Sequence, residues 1–409
     1  MAHKSLIVVG AGMVGAACAL RLQAAGFAVS LVDPGPADRA SSFGNAGHIA
    51  VEQVEPLASW ATVRQAPTML FGVGGPLDFR LSDIGCWLPW SARLLKACGR
   101  DQVRRGRGAL RDLTLPAVQA WRDLLALADA SGLMIEDGHT LLWFDARAAQ
   151  TGRSKWQRAD TGSARCRHMA SDELAAYRSV LTGRQPVAGL YIEGTARLTS
   201  PQHVRDSLIA AFEAKGGNRL AAQAVNVSAA GEVDLADGSR LNADLVLVTA
   251  GVRSGGLLAA LGTPVPLIAE RGYSIQFPVP SWSSDLSTTV LDDWSVVLAP
   301  QAEGLRATSY VEFGRADAPA DSRKWDRLIS RVRALGLAVP DDCQRWMGCR
   351  PTLPDYVPAI GAWPGERLLY AFGHQHLGVT LAAVTAERIV RLADGEATSP
   401  DLDLRRFAS

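Results

Sequence analysis

Apolar residues run unbroken from Leu6 to Val9 and stop at Gly10. Between Met13 and Ala25 they recur at helical spacing, Gly26 ends that run, and "FAVSLVD" forms a second apolar block closing on Asp33. This order predicts a strand (Ser5–Val9), a helix and a second strand, one βαβ unit at the start of the chain. From Pro56 to Arg184 the pattern changes to helix-like segments such as Leu110–Ala130, with one strand-like stretch, "HTLLWFD" (His139–Asp145). Helical periodicity returns at Pro201–Lys215, with proline where the first turn tolerates it, followed by strand-like "AAQAVNVSA" and "ADLVLVTAG". Pro264–Pro300 alternates with a period of two, "LRATSYVEFG" (Leu305–Gly314) continues it, and Asp326–Leu335 reads as a helix. The order predicts an α/β fold with two domains. A Rossmann-type nucleotide domain is assembled from three segments, 1–60, 196–262 and 344–409. An α+β substrate domain with a mixed or antiparallel sheet takes 61–195 and 263–343.

Composition narrows the function classes. The 409 residues exceed what one core organises, and 48% hydrophobic with 20% charged residues is an ordinary globular balance. A net charge of +1 provides no field for nucleic acid. Six cysteines (Cys18, Cys86, Cys98, Cys166, Cys343, Cys349) show no C-x-x-C spacing, so a zinc ribbon or redox pair is not expected and a reducing cytoplasm is. "LIVVGAGMVGAACAL" resembles a signal-peptide core, but its glycines fit a strand–turn–helix. No stretch has the roughly 20 uninterrupted apolar residues of a membrane span.

"GAGMVG" (Gly10–Gly15) is a G-x-G-x-x-G sequence between a predicted strand and helix, with Asp33 about twenty residues on. Gly10 allows the tight turn, Gly12 the approach of a pyrophosphate, and Gly15 close helix–strand packing. Free N–H groups at Met13 and Val14 suit phosphates, and Asp33 suits a ribose. A second glycine fingerprint is missing, which favours FAD alone over FAD with NAD(P)H. "LVLVTAG" brings bare backbone at Ala250 and Gly251 towards the cofactor. The small-residue loop "ASSFGNAGHI" (Ser41, Ser42, Asn45, Ala46, Gly47, His48) lets a flavin ring pass closely. An NAD-dependent dehydrogenase and a non-catalytic flavin-binding subunit are the competing readings. In "FGHQHLGVT", His374 and His376 lack a companion cysteine or carboxylate cluster, so no metal site is expected.

Together "VVGAGMVGAACALRLQAAGFAVSLVD", "SSFGNAGHI", "YIEGTARLTSPQHV", "GCRPTLPD" and "FGHQHLGVT" resemble the D-amino-acid oxidase-like superfamily of FAD enzymes. The bacterial D-amino-acid dehydrogenase branch, with relatives acting on 4-hydroxy-D-proline, is the nearer likeness, and glycine oxidase the more distant one. The resemblance implies non-covalent FAD held additionally by Val225 and by Gly373, His374, Leu377, Gly378, Val379 and Thr380. The last six sit at a helix N-terminus facing the flavin pyrimidine, where partial positive charge suits the reduced ring's anion. Arg350 is implied as the anchor of the substrate carboxylate, a role that suits its planar fork. Tyr273 is a candidate second carboxylate contact, and His48 a candidate cavity residue. Sarcosine oxidases attach flavin to a cysteine near Cys349, but the register puts Gly348 at that position.

The implied chemistry is oxidation of the Cα–N bond of a D-amino acid, with electrons passed to a quinone or other carrier. 4-Hydroxy-D-proline oxidation and an oxygen-using glycine or sarcosine oxidase are the alternatives, and Tyr273 and Trp294 are candidates to shape the pocket. Cys86–Arg111, with Trp87, Trp90, Leu94 and Leu95 before Arg100, Arg104, Arg105, Arg107 and Arg111, is either a peripheral membrane contact or a solvated helix face.

Overall fold

Glycine-punctuated apolar blocks at the N-terminus form the centre of a six-stranded sheet. The computed structural model describes residues 4–408 apart from 37–39, 263–264, 281 and 284. Its first sheet runs in the order 218–220, 28–32, 5–9, 245–248, 368–372, 359–362. All neighbours are parallel except the last pair. Ser5–Val9 is buried on both faces, as a central parallel strand must be. Leu6 and Val8 pack with the helices Met13–Ala24 and Gly378–Ala393, while Ile7 and Val9 pack with Val246 and Val248 on the other side.

The second sheet has nine strands, with the path 344–352, 268–277, 304–314, 296–301, 288–291, 139–143, 188–193, 165–168, and 77–79 alongside 304–314. It is mixed: Thr288–Leu291 runs parallel to His139–Trp143, and the long strands 268–277, 304–314 and 344–352 are antiparallel. Alternation along Ile268–Phe277 sorts its side chains. Tyr273, Ile275 and Phe277 enter a core with Leu328, Ile329 and Val332 of the helix Ser322–Ala334. Glu270, Gly272 and Gln276 fall on the opposite face by the two-residue period. A small sheet of 48–49, 196–198 and 134–135 connects the two layers.

Three expectations are corrected. Leu110–Ala130 is two helices, Arg100–Thr114 and Ala117–Leu127, because Pro116 has no N–H to continue the ladder. Both pack in the first sheet's core, Trp121 donating to the Val379 carbonyl at 3.0 Å, although the sequence assigns 61–195 to the second domain. Gln344–Thr352 is an edge strand of the second sheet, so the chain returns to the first after Thr352 and not at 344. Pro264, the expected start of the alternating region, lies outside the described residues.

Candidate functional site

Gly10, Thr249 and Asp33 build the glycine turn through hydrogen bonds. Gly10 donates to the Val32 carbonyl at 2.8 Å, and the Thr249 hydroxyl donates to the carbonyls of Val9 and Gly10. Asp33 accepts from Ala11 N–H at 2.7 Å and from Gly35 N–H at 2.8 Å. The glycines divide by role. A Cβ on Gly15 would lie 1.8 Å from the Gly10 carbonyl oxygen, and one on Gly10 2.8 Å from that of Thr249, so both are needed for packing. A Cβ on Gly12 or Gly251 would meet nothing within 4 Å. Helix Met13–Ala24 starts at Gly12 without a side-chain cap, leaving its first N–H groups to a ligand. Bare backbone beside open space and uncapped donors fit a dinucleotide pyrophosphate. Thr249, within "LVLVTAG", and Arg205, whose Nε donates to the Ala11 carbonyl, support the turn, and the sequence assigns neither side chain this role.

From this contrast, Gly12→Ala should leave the apoprotein's unfolding midpoint unchanged and weaken FAD binding. About 1–3 kcal/mol of steric cost corresponds to roughly five- to 150-fold in Kd, measured by flavin fluorescence titration. Equal FAD affinity in the variant would show that the open side of the turn is not the cofactor's.

The loop 41–48 lies on the Glu270–Gly272–Gln276 face of the second sheet. Arg306, cross-strand to Gln276, donates to the carbonyls of Phe43 at 3.0 Å and Asn45 at 2.8 Å, and Gln301 donates to that of Ala46 at 3.1 Å. Burial pulls the Arg306 pKa down to about 10, so it stays cationic at neutral pH. Gly44 is required by the Trp346 indole, which a Cβ would approach to 2.1 Å, and the Ser41 hydroxyl donates to the Cys349 carbonyl. Ser42 accepts from Asn45 N–H through its carbonyl, and the Asn45 side chain caps Gly47 N–H at 2.8 Å. Thr380, at the start of the last helix, accepts from Ala50 N–H at 3.0 Å and donates to the His48 carbonyl at 3.3 Å. That hydroxyl brings the loop and the helix N-terminus together.

Helix Gly378–Ala393 begins at Leu377 with no side-chain cap, and a Cβ on Gly378 would meet only His374 Cβ, at 3.7 Å. Val379 is buried in the first core. Gly373 has φ +80°, and Leu353 occupies the place of a Cβ there. The two nearby histidines diverge. His374 Nε2 meets the Thr385 hydroxyl at 3.0 Å, and His376 Nε2 meets Gln53 Oε1 at 2.6 Å, so they do not form a pair. Burial lowers the His374 pKa to about 3. For His376 burial is again the main cause, helped by Arg350 and opposed by Glu52, and the value falls to about 4. Val225 is half-exposed, where the Ala224–Val227 strand slips register against its neighbour.

The depressed His374 pKa has a consequence for stability. Below the ordinary value of 6.5 the unfolded chain binds a proton that the folded one refuses. The contribution is therefore complete above pH 6.5 and is lost as pH falls towards 3, by about 1.4 kcal/mol per unit. Urea unfolding at pH 7 and 5 should show this slope, and His374→Asn should reduce it; an identical slope in the variant would contradict it.

Arg350 lies across Gly272, where a Cβ would be 2.3 Å from Nη2. Its Nη1 reaches Glu270 Oε1 and the Tyr310 carbonyl, each at 3.3 Å. Glu270 is buried and also accepts from Thr352 and Tyr356. Among the described residues the Nε and Nη2 edge has no hydrogen-bond partner, and the side chain keeps 22% of its exposure. Arg350 is thus both an ion-pair member and a guanidinium with a free edge.

Tyr273 is elsewhere. It points to the opposite face, donates to Glu312 at 2.8 Å and accepts from Asp321 N–H at 3.1 Å, so its hydroxyl is engaged in the core and is not the second anchor beside Arg350 that the sequence suggested. Trp294 packs on Phe144 and under Arg184, on the second sheet's far strands. Trp346 packs on Gly44 of the 41–48 loop and Gln53 meets His376, and sequence reasoning misses both, since neither carries a motif. The Cys349 thiol points to the Ala316 carbonyl, 3.5 Å away, on the face opposite Arg350. His48 turns towards Glu52, 3.6 Å from Nε2, and its ring meets His139 edge-on with centroids 4.4 Å apart.

Known proteins share this architecture. A D-amino-acid oxidase of Bradyrhizobium diazoefficiens is 28% identical over 419 residues, covering 99% of this chain and 98% of its own. D-amino acid dehydrogenase 2 of Ralstonia nicotianae is 29% identical, covering 97% and 98%. The crystal structure of glycine oxidase from Geobacillus kaustophilus superposes with a TM-score of 0.72 at 16% identity, covering 98% and 99%, a likeness of fold. The family model described as FAD dependent oxidoreductase matches residues 5–392, and on that match the chain belongs to the FAD-dependent oxidoreductases.

Proposed function

We propose that this flavoprotein oxidises the Cα–N bond of a D-amino acid to the imino acid, which water hydrolyses to the 2-oxo acid. Bound FAD supplies the two-electron acceptor, and the chain supplies position. The observation that carries the reading is Arg350: one nitrogen is tied to Glu270, and the remaining edge is free on the sheet face that holds the loop 41–48. A substrate carboxylate there receives two charge-assisted hydrogen bonds from a fork already oriented by its ion pair. Gly10, Gly12, Gly15, Asp33 and Gly251 would hold the dinucleotide, and the loop 41–48 and the N-terminus of helix Gly378–Ala393 would hold the flavin, the helix supplying partial positive charge for the reduced ring. The D-configuration is supported by the names of the two relatives above. FAD is non-covalent on this reading, because the Cys349 thiol faces away from Arg350.

Electrons leave to a quinone or other carrier. No helix among the described residues is long and apolar enough to cross a membrane. For peripheral contact only Leu95 of the apolar side chains the sequence suggested is retained. Trp90 is buried, and Arg104, Arg105, Arg107 and Arg111 pair with Asp101, Asp401, Glu55 and Asp160. Ile84, Leu88 and Leu95, spaced four and seven apart, are exposed along one face of Ile84–Ala97, and they are the residues we propose to touch a membrane. Anaerobic bleaching of the flavin by D- and L-amino acids, cyclic and 4-hydroxylated ones included, tests the substrate. Bleaching by neutral D-amino acids alone is expected; bleaching only by L-isomers, or by none, overturns the reading. Reoxidation rates with oxygen and with a quinone then separate oxidase from dehydrogenase.

A further inference from the structure

We propose that His48, Glu52 and His139 form a binding site for one Zn²⁺ ion. Two separate pieces of chain build it: one carries His48 on the 48–49 strand and Glu52 four residues on, and the other carries His139 at the head of the 139–143 strand of the second sheet. One donor atom of each lies within 4.8 Å of the others. Glu52 Oε1 is 3.6 Å from His48 Nε2 and 4.0 Å from His139 Nε2. Ligands bound to zinc at about 2.0–2.2 Å sit roughly 3.3–3.6 Å apart around a tetrahedron, so the first separation fits and the second needs a small inward shift.

Unpartnered atoms point to a ligand independently of these distances. Glu52 is only 5% exposed, yet its Oε2 has no hydrogen-bond partner, and neither ring nitrogen of His48 has one. Buried polar atoms are rarely left so, and three in one cluster imply a shared partner. His139 is held in an orientation that suits a ligand, its Nδ1 lying 3.1 Å from the Thr195 hydroxyl. If Nδ1–H donates there, Nε2 is bare and aimed at Glu52, the outer-shell arrangement that fixes a ligating imidazole. Two imidazoles and one carboxylate are a donor set that zinc accepts and that calcium and magnesium, which prefer oxygen, do not. Bound metal ties the segment after the 41–48 loop to the second sheet, an effect separate from carboxylate anchoring at Arg350.

The test uses the full-length FAD-loaded protein, stripped with chelator and titrated calorimetrically with zinc chloride, with magnesium chloride in parallel. One equivalent of zinc and a rise in unfolding temperature are expected, with no magnesium response. His139→Gln and Glu52→Gln should abolish the binding, and Thr195→Val, which removes only the outer-shell hydroxyl, should weaken it roughly 10- to 100-fold. Flavin absorbance and circular dichroism identify folded variants, and Thr195→Val decides the matter if the other two misfold. Failure of the stripped protein to take up zinc, or equal affinity in the folded variants, overturns the site.

Discussion

Arg350→Ala is expected to lower kcat/KM by about thirtyfold to a few thousandfold while FAD stays bound. Losing the charged partner of a desolvated carboxylate costs about 2–5 kcal/mol, and each 1.4 kcal/mol is a factor of ten. The loss should fall mainly on KM, because the guanidinium holds the carboxylate before and during the reaction alike. Part of it is indirect: Glu270 loses a cation 3.3 Å away, although Thr352 and Tyr356 still donate to it. Arg350→Lys separates the two effects, because an ammonium can answer Glu270 but cannot offer two parallel donors. If Arg350→Lys matches the native KM, pairing and not substrate anchoring is the role. Tyr273→Phe, at the opposite face, should leave KM unchanged.

Glu312→Ala is the second large effect, and it falls on stability. Glu312 is fully buried and holds Arg271 at 2.7 Å, Lys324 at 2.7 Å and the Tyr273 hydroxyl at 2.8 Å. Arg271 is equally buried, and its remaining acceptors are the Ala318 and Pro319 carbonyls. Removing the carboxylate leaves that guanidinium without its counter-charge, an uncompensated burial that costs about 3–5 kcal/mol. Lys324 is less affected, since Asp78 and Asp321 stay within 2.6 and 3.1 Å. The network lies away from Arg350, so protein that does fold should bind substrate normally. A denaturation midpoint within experimental error of the native one would show that the network contributes no net stability.

Local order along the chain determined much of this protein. The βαβ unit, the glycine turn and Asp33 are neighbours in sequence, and steric rules at Gly10, Gly12 and Gly15 are local rules. Periodicity likewise placed His139–Trp143, the helix from Pro201 and the alternating strands of the second sheet. Tertiary structure alone decided the rest, because the remaining choices depend on which residues meet across long separations. The parity of Ile268–Phe277 and its pairing with Gln344–Thr352 put Arg350 on one face and Tyr273 on the other, a distinction that residue type does not contain. For the same reason the two adjacent histidines, His374 and His376, turn to different partners, while His48 and His139, 91 positions apart in number, meet over Glu52. A side chain's chemistry is written in the chain; its neighbours are set by packing and strand register.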